Sequence, residues 1–471
     1  MNSIQYYQEI FQVTEEQMGL ITRTALSRGG DYSDLYFEHT TFFNLLLKDG
    51  EVTSGGFHTD FGVGIRVIDG EKTGYAYSEN TSMPDMLTAA RAASAIASGA
   101  TSYRTYKKVD DFSLDFYPVK KNWRSVTASA FVPFLKDIEK RVFASDSRIV
   151  KVMARLSDSV SDVMMYNSLG ELTCDTRPMG SVTVTAVFQQ NGKTENKTAS
   201  RSFRIGAEFI TESLAQELAD DVVKGIDARF EAVRPKGGQM SVVMGAGASG
   251  ILLHEAMGHA FEADFNRKGQ SIFSDKMGHQ VCPKGINVVD DSTVMYNRGS
   301  GNYDDEGVYG QKTYMVTDGI LTSYLHDRIS AAWYGVTPTG NGRRENFRYN
   351  PIPRMRATYM ESGNADPESI IASVKDGIYV DEFSNGQVKI GEGDFTFYVK
   401  SGYLIENGRL TAPVKDINII GNGPQALSDI VAVGNDLKID NGTWTCGKEQ
   451  SVPVSCGMPT VLVSSLTVGG E

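Results

Sequence analysis

An α+β fold follows from three features of this 471-residue sequence. The first half alternates capped helical stretches with strands of two-residue period joined by hairpin turns. Arg234-Pro-Lys-Gly-Gly238 then breaks the pattern. Beyond it come short strands with glycine turns and one strong helix, which carries two histidines. The expected architecture is an N-terminal helix-plus-antiparallel-sheet region at 1–235, dividing into similar sub-blocks at 1–110 and 120–235. A β-rich C-terminal domain at 236–471, built around that helix, completes it.

Thr14-Glu-Glu-Gln17 is a capping-box signature that opens a helix running to Arg28 and closing at Gly29-Gly30. Asp34–Thr40 and Thr41–Leu47 alternate as strands do, and Asp49-Gly50 marks a turn. Gly62–Ile68, Asp69-Gly70 and Thr73–Ser78 make a second hairpin. Met83–Ser98 is an alanine-rich helix charged only at Asp85 and Arg91, the composition of a buried helix. Phe112–Ser125 is polar and irregular and reads as a connection. Val126–Ala144 forms the next helix, with Phe131, Phe134, Leu135, Ile138 and Val142 on one side. Strands follow at Arg148–Leu156, Met164–Asn167 and Ser181–Gln189, the last returning through Asn191-Gly192 to a strand near Thr198–Arg204. Glu212–Phe230 is an amphipathic helix. In the C-terminal half Met240–Met244 and Phe395–Val399 are strands, and Asp318-Gly319 and Asn407-Gly408 are turns. Short helices are expected at Pro367–Lys375, capped by Asp366, and at Pro424–Asp429.

The chemistry is concentrated in Ser249–Asp264, read as a helix capped by Ser249 or Gly247. It contains His254-Glu255-x-x-x-His259. Two imidazoles can bind one zinc, and the Glu beside the first can take a proton from a zinc-bound water. The familiar metalloprotease helix spaces its histidines i, i+4. Here the spacing is i, i+5, which turns His259 about 140° from His254 in a regular helix. To face one point the helix must form a single wide π turn or bend at Gly258. An open zinc site needs a third protein ligand. Glu262 shares a face with Glu255 and His259 and is one candidate, as a ligand or as the partner of a ligand. Cys174, Cys282, Cys446 and Cys456 are the others.

Gly245-Ala-Gly247-Ala-Ser-Gly250 is a literal G-x-G-x-x-G between a strand and a helix, the fingerprint of a dinucleotide site. That reading needs a second parallel strand ending in an acid, whereas Phe265–Lys276 is polar and irregular. The glycines are better read as letting the turn pass close to other backbone. Asp304-Asp-Glu306 and Asp290-Asp291 lack calcium-loop spacing and read as solvated turns. Composition is globular, with 41% hydrophobic and 22% charged residues. Net charge is −12, from 46 basic and 58 acidic residues, which argues against a nucleic-acid partner. The densest basic cluster, Arg343, Arg344, Arg348, Arg354 and Arg356, reads as loop charges paired with acids. Four scattered cysteines do not make a disulfide scaffold, and no apolar run approaches a membrane span. The expectation is a cytoplasmic protein with no membrane contact, where a thiolate ligand stays reduced.

His254-Glu-Ala-Met-Gly-His-Ala-Phe-Glu-Ala-Asp-Phe-Asn-Arg-Lys-Gly269 resembles the metal-binding helix of the TldD/PmbA family of metalloproteases, on the TldD side that keeps the motif. Gly421-Asn-Gly-Pro424, Val433-Gly-Asn-Asp436, Cys446-Gly-Lys448 and Leu466-Thr-Val-Gly-Gly470 agree with it, as does Gly62-Val-Gly-Ile-Arg-Val67. The resemblance implies zinc held by His254, His259 and Cys446, with Glu255 as the base. It also implies unfolded or modified peptides as substrates, cut inside an enclosed cleft, and a dimer with itself or with a paralogue lacking the motif.

The expected function is therefore a zinc-dependent peptidase, with Arg343, Arg344 and Tyr349 as candidate oxyanion donors. The competing expectation is a non-catalytic interaction or regulatory subunit whose metal is absent, or structural and closed by a fourth ligand from Cys456 or Glu262.

Overall fold

The computed structural model describes residues 2–97, 114–247 and 249–469. The expected helix end at Ser98 and the start of the connection at Phe112 lie outside them. The N-terminal strands are β1 (Tyr32–Lys48), β2 (Glu51–Asp69), β3 (Lys72–Ser78), β4 (Ile149–Asn167), β5 (Leu172–Gln190) and β6 (Lys193–Phe203). They form one antiparallel sheet in the order β3-β2-β1-β4-β5-β6. β1 pairs with β4 from Asp34↔Asn167 to Lys48↔Met153, so strands from both sub-blocks share a single sheet.

Five of the helices cover one face of this sheet. Helices α1 (Ile4–Phe11), α2 (Glu15–Ala25) and α3 (Met83–Ser94) bury Phe11, Met18, Ile21 and Met86 against Leu35, Phe37, Val63 and Ile65. Helices α4 (Val132–Ser145) and α5 (Glu212–Val223) bury Leu135, Ile138, Leu214 and Leu218 against Phe43, Leu45, Leu47 and Val184. Between the two apolar clusters the stripe on β1 is interrupted at His39 and Thr41. Arg124 fills the gap, donating to Thr41 Oγ1 (3.0 Å) and pairing with Asp162 at 2.5 Å. This interruption explains why β1 and β4 each read as two strands. The polar residues mark where one set of helices gives way to the other, while the backbone continues through. The expected helix Glu212–Phe230 is broken at Gly225, whose φ is 73°, and resumes as α6 (Ile226–Glu231). Sequence reading missed α1, whose N-cap is Ser3.

The opposite face of the sheet, at Tyr36, Val163 and Met165, packs on Tyr303 and Phe347 of the C-terminal half. The contact is also ionic. Arg66, fully buried, meets Asp34 and lies 2.7 Å from Glu306. Arg177 pairs with Asp175 (3.0 Å) and Asp305 (2.5 Å). Thus Asp304-Asp305-Glu306 is not the solvated turn expected from sequence, because all three acids are buried. Of the basic cluster, Arg343, Arg344, Arg354 and Arg356 are likewise buried, and only Arg348 reaches outward, to Asp60 and Glu79.

In the C-terminal half, β7 (Gly238–Met244) pairs in parallel with Asp376–Val388 and antiparallel with Val461–Gly469. A second sheet contains Val288–Asp291, Ala357–Met360 and Ser455–Met458. The histidine-bearing segment lies between the two sheets, where Leu252, Leu253, Met257 and Ala260 share a core with Val242, Met244, Val288 and Met458. The glycine turn serves this packing: a Cβ on Gly250 would lie 2.5 Å from the backbone nitrogen of Gly457.

Two consequences are measurable. Gly250→Ala should overpack this contact and cost about 1–3 kcal/mol of stability in denaturant unfolding. Glu38 accepts from Phe347 N–H (2.8 Å) and Thr40 Oγ1 (2.6 Å), and burial pushes its carboxyl up from 4.5 to about 7. A raised carboxyl favours the fold while neutral, so its contribution is full below 4.5 and is lost as pH rises through about 7. Between those limits Glu38→Gln should gain stability on the parent chain, by up to roughly 3 kcal/mol. Equal pH slopes for the two proteins would refute this.

Candidate metal centre

The segment after the glycine turn is not one regular helix. Helix α7 (Gly250–Leu253) leads into a π turn at His254–Gly258 and a 3₁₀ turn at His259–Phe261. The amide of His259 donates to the carbonyl of His254, the i, i+5 bond of a wide turn. Of the two expected distortions the chain uses the π turn. Gly258 keeps helical angles (φ −55°, ψ −52°), so it is not the bend. It is small because a Cβ there would lie 2.0 Å from Met355 Sδ. The extended residue is Glu262 (ψ 124°), after which a short helix, α8 (Ala263–Arg267), begins.

The wide turn brings the histidines together, with ring centroids 5.2 Å apart and planes at 82°. Cys446, on the short strand Thr445–Lys448, reaches them from the far end of the chain. Its Sγ is 3.3 Å from His259 Nε2. Ligand atoms of His254, His259 and Cys446 all lie within 4.8 Å of one another, and all three residues are buried. Among the described residues this is the one group of three or more His, Cys, Asp or Glu so arranged. Glu255, the expected base, is half-buried and within electrostatic reach of the same three side chains.

Glu262 lies behind the group. Its Oε2 is 3.0 Å from His259 Nδ1 and 3.0 Å from Lys448 Nζ. Lys448 also donates to Asp264 Oδ1 (2.9 Å) and Pro353 O (3.0 Å). Arg354 Nε is 3.8 Å from Glu262 Oε1, and its Nη2 donates to Cys446 O (2.7 Å). The two cations therefore bind the strand of Cys446 to the carboxylate that orients His259. The sequence places Lys448 in the Cys446-Gly-Lys448 segment and Arg354 in the basic cluster, but gives neither a role at the metal group. Lys448 is two positions from Cys446 on one strand, hence on the same face, and that period could have found it.

Electrostatics follow from this packing. Burial alone would raise the Cys446 thiol, but His254 and His259 outweigh it and bring it down to about 4. Burial would lower His259, yet the Glu262 carboxylate and the Cys446 sulfur hold it well above its usual range. Burial would raise Glu262, while Lys448 and His259 draw it down to about 2. Burial raises Glu255, opposed by the two histidines. Cys456 is buried on the strand Ser455–Met458, and burial pushes its thiol well up. Burial also raises Cys174 and Cys282, each to about 12. Of the candidate oxyanion donors, Arg343 bonds Pro453 O (2.8 Å) and Met355 O, and Arg344 bonds Asp305 and Tyr75. Both guanidiniums serve the interior.

Comparison with known proteins agrees along the chain. The PmbA/TldA metallopeptidase domain 1 matches residues 33–97, the central domain 121–229 and the C-terminal domain 237–470. A Metalloprotease TldD homolog of Haemophilus influenzae is 38% identical over 453 residues, 94% of each chain. A Zinc metalloprotease TldD homolog of Saccharolobus solfataricus is 31% identical over 62% of this chain and 65% of its own. The solved structure of TldE from Thermococcus kodakarensis, 17% identical, superposes with a TM-score of 0.75 over 96% of this chain and all of that one, a likeness of fold. With three family domains in register and a close match in length to a curated relative, the chain belongs to the TldD/PmbA family of metallopeptidases.

Proposed function

We propose that this chain is a zinc-dependent peptidase acting on unfolded or modified peptides, with His254, His259 and Cys446 as ligands and Glu255 as the general base. The observation that carries the reading is the convergence of those three donors within 4.8 Å. The donor set fits zinc. Nitrogen and thiolate ligands in a tetrahedral zinc shell stand roughly 3.5 Å apart, close to the 3.3 Å between Cys446 Sγ and His259 Nε2. The low thiol of Cys446 supplies the deprotonated form that a metal requires. His254 Nδ1 is buried without a hydrogen-bond partner, an orphan that a cation site explains.

Zinc bound there would acidify a water and polarise the peptide carbonyl. Glu255 takes the proton of the attacking water and returns it to the leaving amine. Its raised affinity for protons suits a group that must both accept and release one. Glu262 holds His259 by Nδ1 and so leaves Nε2 to the ligand group. The alternative, a non-catalytic subunit with a closed structural metal, needs a fourth ligand. The atoms that lie within 4.8 Å of one another belong to His254, His259 and Cys446, and neither Glu262 nor Cys456 is among them, so an open site has the better support.

The division that accompanies this reading puts the peptidase unit at 236–471 and the α+β region at 1–235. Its partners are peptides and a second subunit, either another copy or a paralogue lacking the motif. Its setting is the cytoplasm; no described helix is long and apolar enough to cross a membrane.

Metal content and hydrolysis of an unstructured peptide, measured side by side, test the proposal. The parent chain should carry about one zinc and cleave, as an open three-ligand site predicts. Glu255→Ala should keep the zinc and lose about 10²- to 10⁴-fold in kcat. Cys446→Ser should lose most of both. Normal cleavage by Glu255→Ala, or unchanged zinc in Cys446→Ser, would sink the mechanism. A second test follows metal removal. After chelation one thiolate should titrate near pH 4, followed by its ultraviolet absorbance, and should vanish in Cys446→Ser. Persistence of that step in Cys446→Ser would assign it to another thiol.

A further inference from the structure

Between the C-terminal ends of helices α2 and α3 the surface is concave and cationic. Arg23, Thr24, Ser27, Arg28, Arg91 and Ser94 line an open hollow of about 830 Å³, solvent at its mouth included. Among the described residues the lining holds three cations, three hydroxyls and no acid. Arg23, Arg28 and Arg91 are exposed, and none makes a side-chain hydrogen bond or ion pair among the described residues. Thr24 and Ser94 turn their hydroxyl hydrogens to Leu20 O (2.9 Å) and Arg91 O (2.6 Å). The three guanidiniums and the Ser27 hydroxyl are the donors left to the hollow.

Helix polarity explains part of this. Arg23 is in the last turn of α2 and Arg91 in the last turn of α3, where a cation offsets the exposed carbonyls. Arg28 lies beyond Ala25, the end of α2, and has no such role. Each helix end carries about −0.5 of charge, so the three guanidiniums leave roughly +2 facing one hollow. Elsewhere near the surface Arg141, Arg148, Arg201 and Arg348 each pair with an acid. In a chain with 58 acidic and 46 basic residues, composition does not impose a group of three arginines without one.

We propose that this hollow is a binding site for a phosphate-bearing small ligand. The charge matches, because a phosphate group carries about −1.5 to −2 at neutral pH, whereas a single carboxylate would leave about half of the site's charge standing. The donors match as well. A guanidinium fork takes two oxygens of a phosphate, and a tetrahedral anion can be met from three sides, which a planar carboxylate cannot. No aromatic or aliphatic side chain among the described lining residues is there to take a base or an acyl chain, so the phosphate itself is what is recognised. A ligand held by both helices ties α2 to α3 and stabilises the N-terminal region by mass action. The inference is independent of the metal centre and of the peptidase reading.

Inorganic phosphate and glycerol phosphate are the probes, titrated into the zinc-loaded full chain against sodium chloride of equal ionic strength. Whichever binds more tightly tells whether the site takes the free anion or an ester. Binding should saturate and raise the unfolding temperature above that in the chloride control. The double substitution Arg28→Gln with Arg91→Gln should weaken it roughly 10- to 100-fold, as loss of charge-assisted bonds predicts. Without phosphate the same variant should match the parent in zinc content, peptide hydrolysis and unfolding temperature, because both side chains are exposed. A temperature rise no larger than that from chloride overturns the site, and so does phosphate binding that survives the double substitution. Tighter binding of an oligoglutamate peptide than of either phosphate overturns it in favour of an acidic protein partner.

Discussion

Two histidines five positions apart can face one point only if the helix between them widens by a residue. The π turn at His254–Gly258 is that widening, and much of the C-terminal half is arranged to hold it. A wide turn is a poor helix by itself, so its stability must come from packing. It lies between two sheets, sharing a core with Val242 and Met244 on one side and Val288 and Met458 on the other. Gly250 and Gly258 are small because Gly457 and Met355 press against them, and neither needs an unusual backbone angle.

The approach of Cys446 to that turn is an electrostatic matter. A thiol and two imidazoles in a buried site would not by themselves settle into a defined protonation state. Glu262 gives His259 an acceptor on Nδ1, and Lys448 with Arg354 keeps Glu262 ionised. Because Lys448 is on the strand of Cys446 and Arg354 bonds the carbonyl of Cys446, the same two cations fix charge and position together. A similar economy joins the halves of the chain, where Arg66 and Arg177 cross to Glu306 and Asp305. Those buried pairs contribute less to net stability than to orientation, since each ion pays a desolvation cost on entering the interior.

Much of this was legible from residues. The capping box at Thr14 and Gln17, the Asp49-Gly50 turn and the helix start at Pro367 are local signals, and the structure has them. The His-Glu-x-x-x-His spacing required a distortion, and the π turn was one of the two available. The misreadings share one cause. His39–Thr41 on β1, and the polar stretch from Ser157 to Asp162 on β4, looked like strand ends because local reading takes polar interruptions for turns. They are the seam between two helical layers. Asp304–Glu306 looked solvated because three acids in a row usually are; Asp305 and Glu306 pair instead with Arg177 and Arg66 from the N-terminal sheet.

The α+β class, a distorted helical segment bearing His254 and His259 and, through resemblance to a family, the candidate ligand Cys446 are all legible in the residues alone. Those properties reside in local periodicity, spacing and motif, which short windows of chain contain. Only the tertiary structure decided that the strands of both sub-blocks make one sheet, that Cys446 and not Cys456 meets the histidines, and that Lys448 and Arg354 stand behind them. Each depends on distances between segments far apart in the chain. Which strand edge or charge lies opposite which is set by packing the whole, and no window of the sequence holds that information.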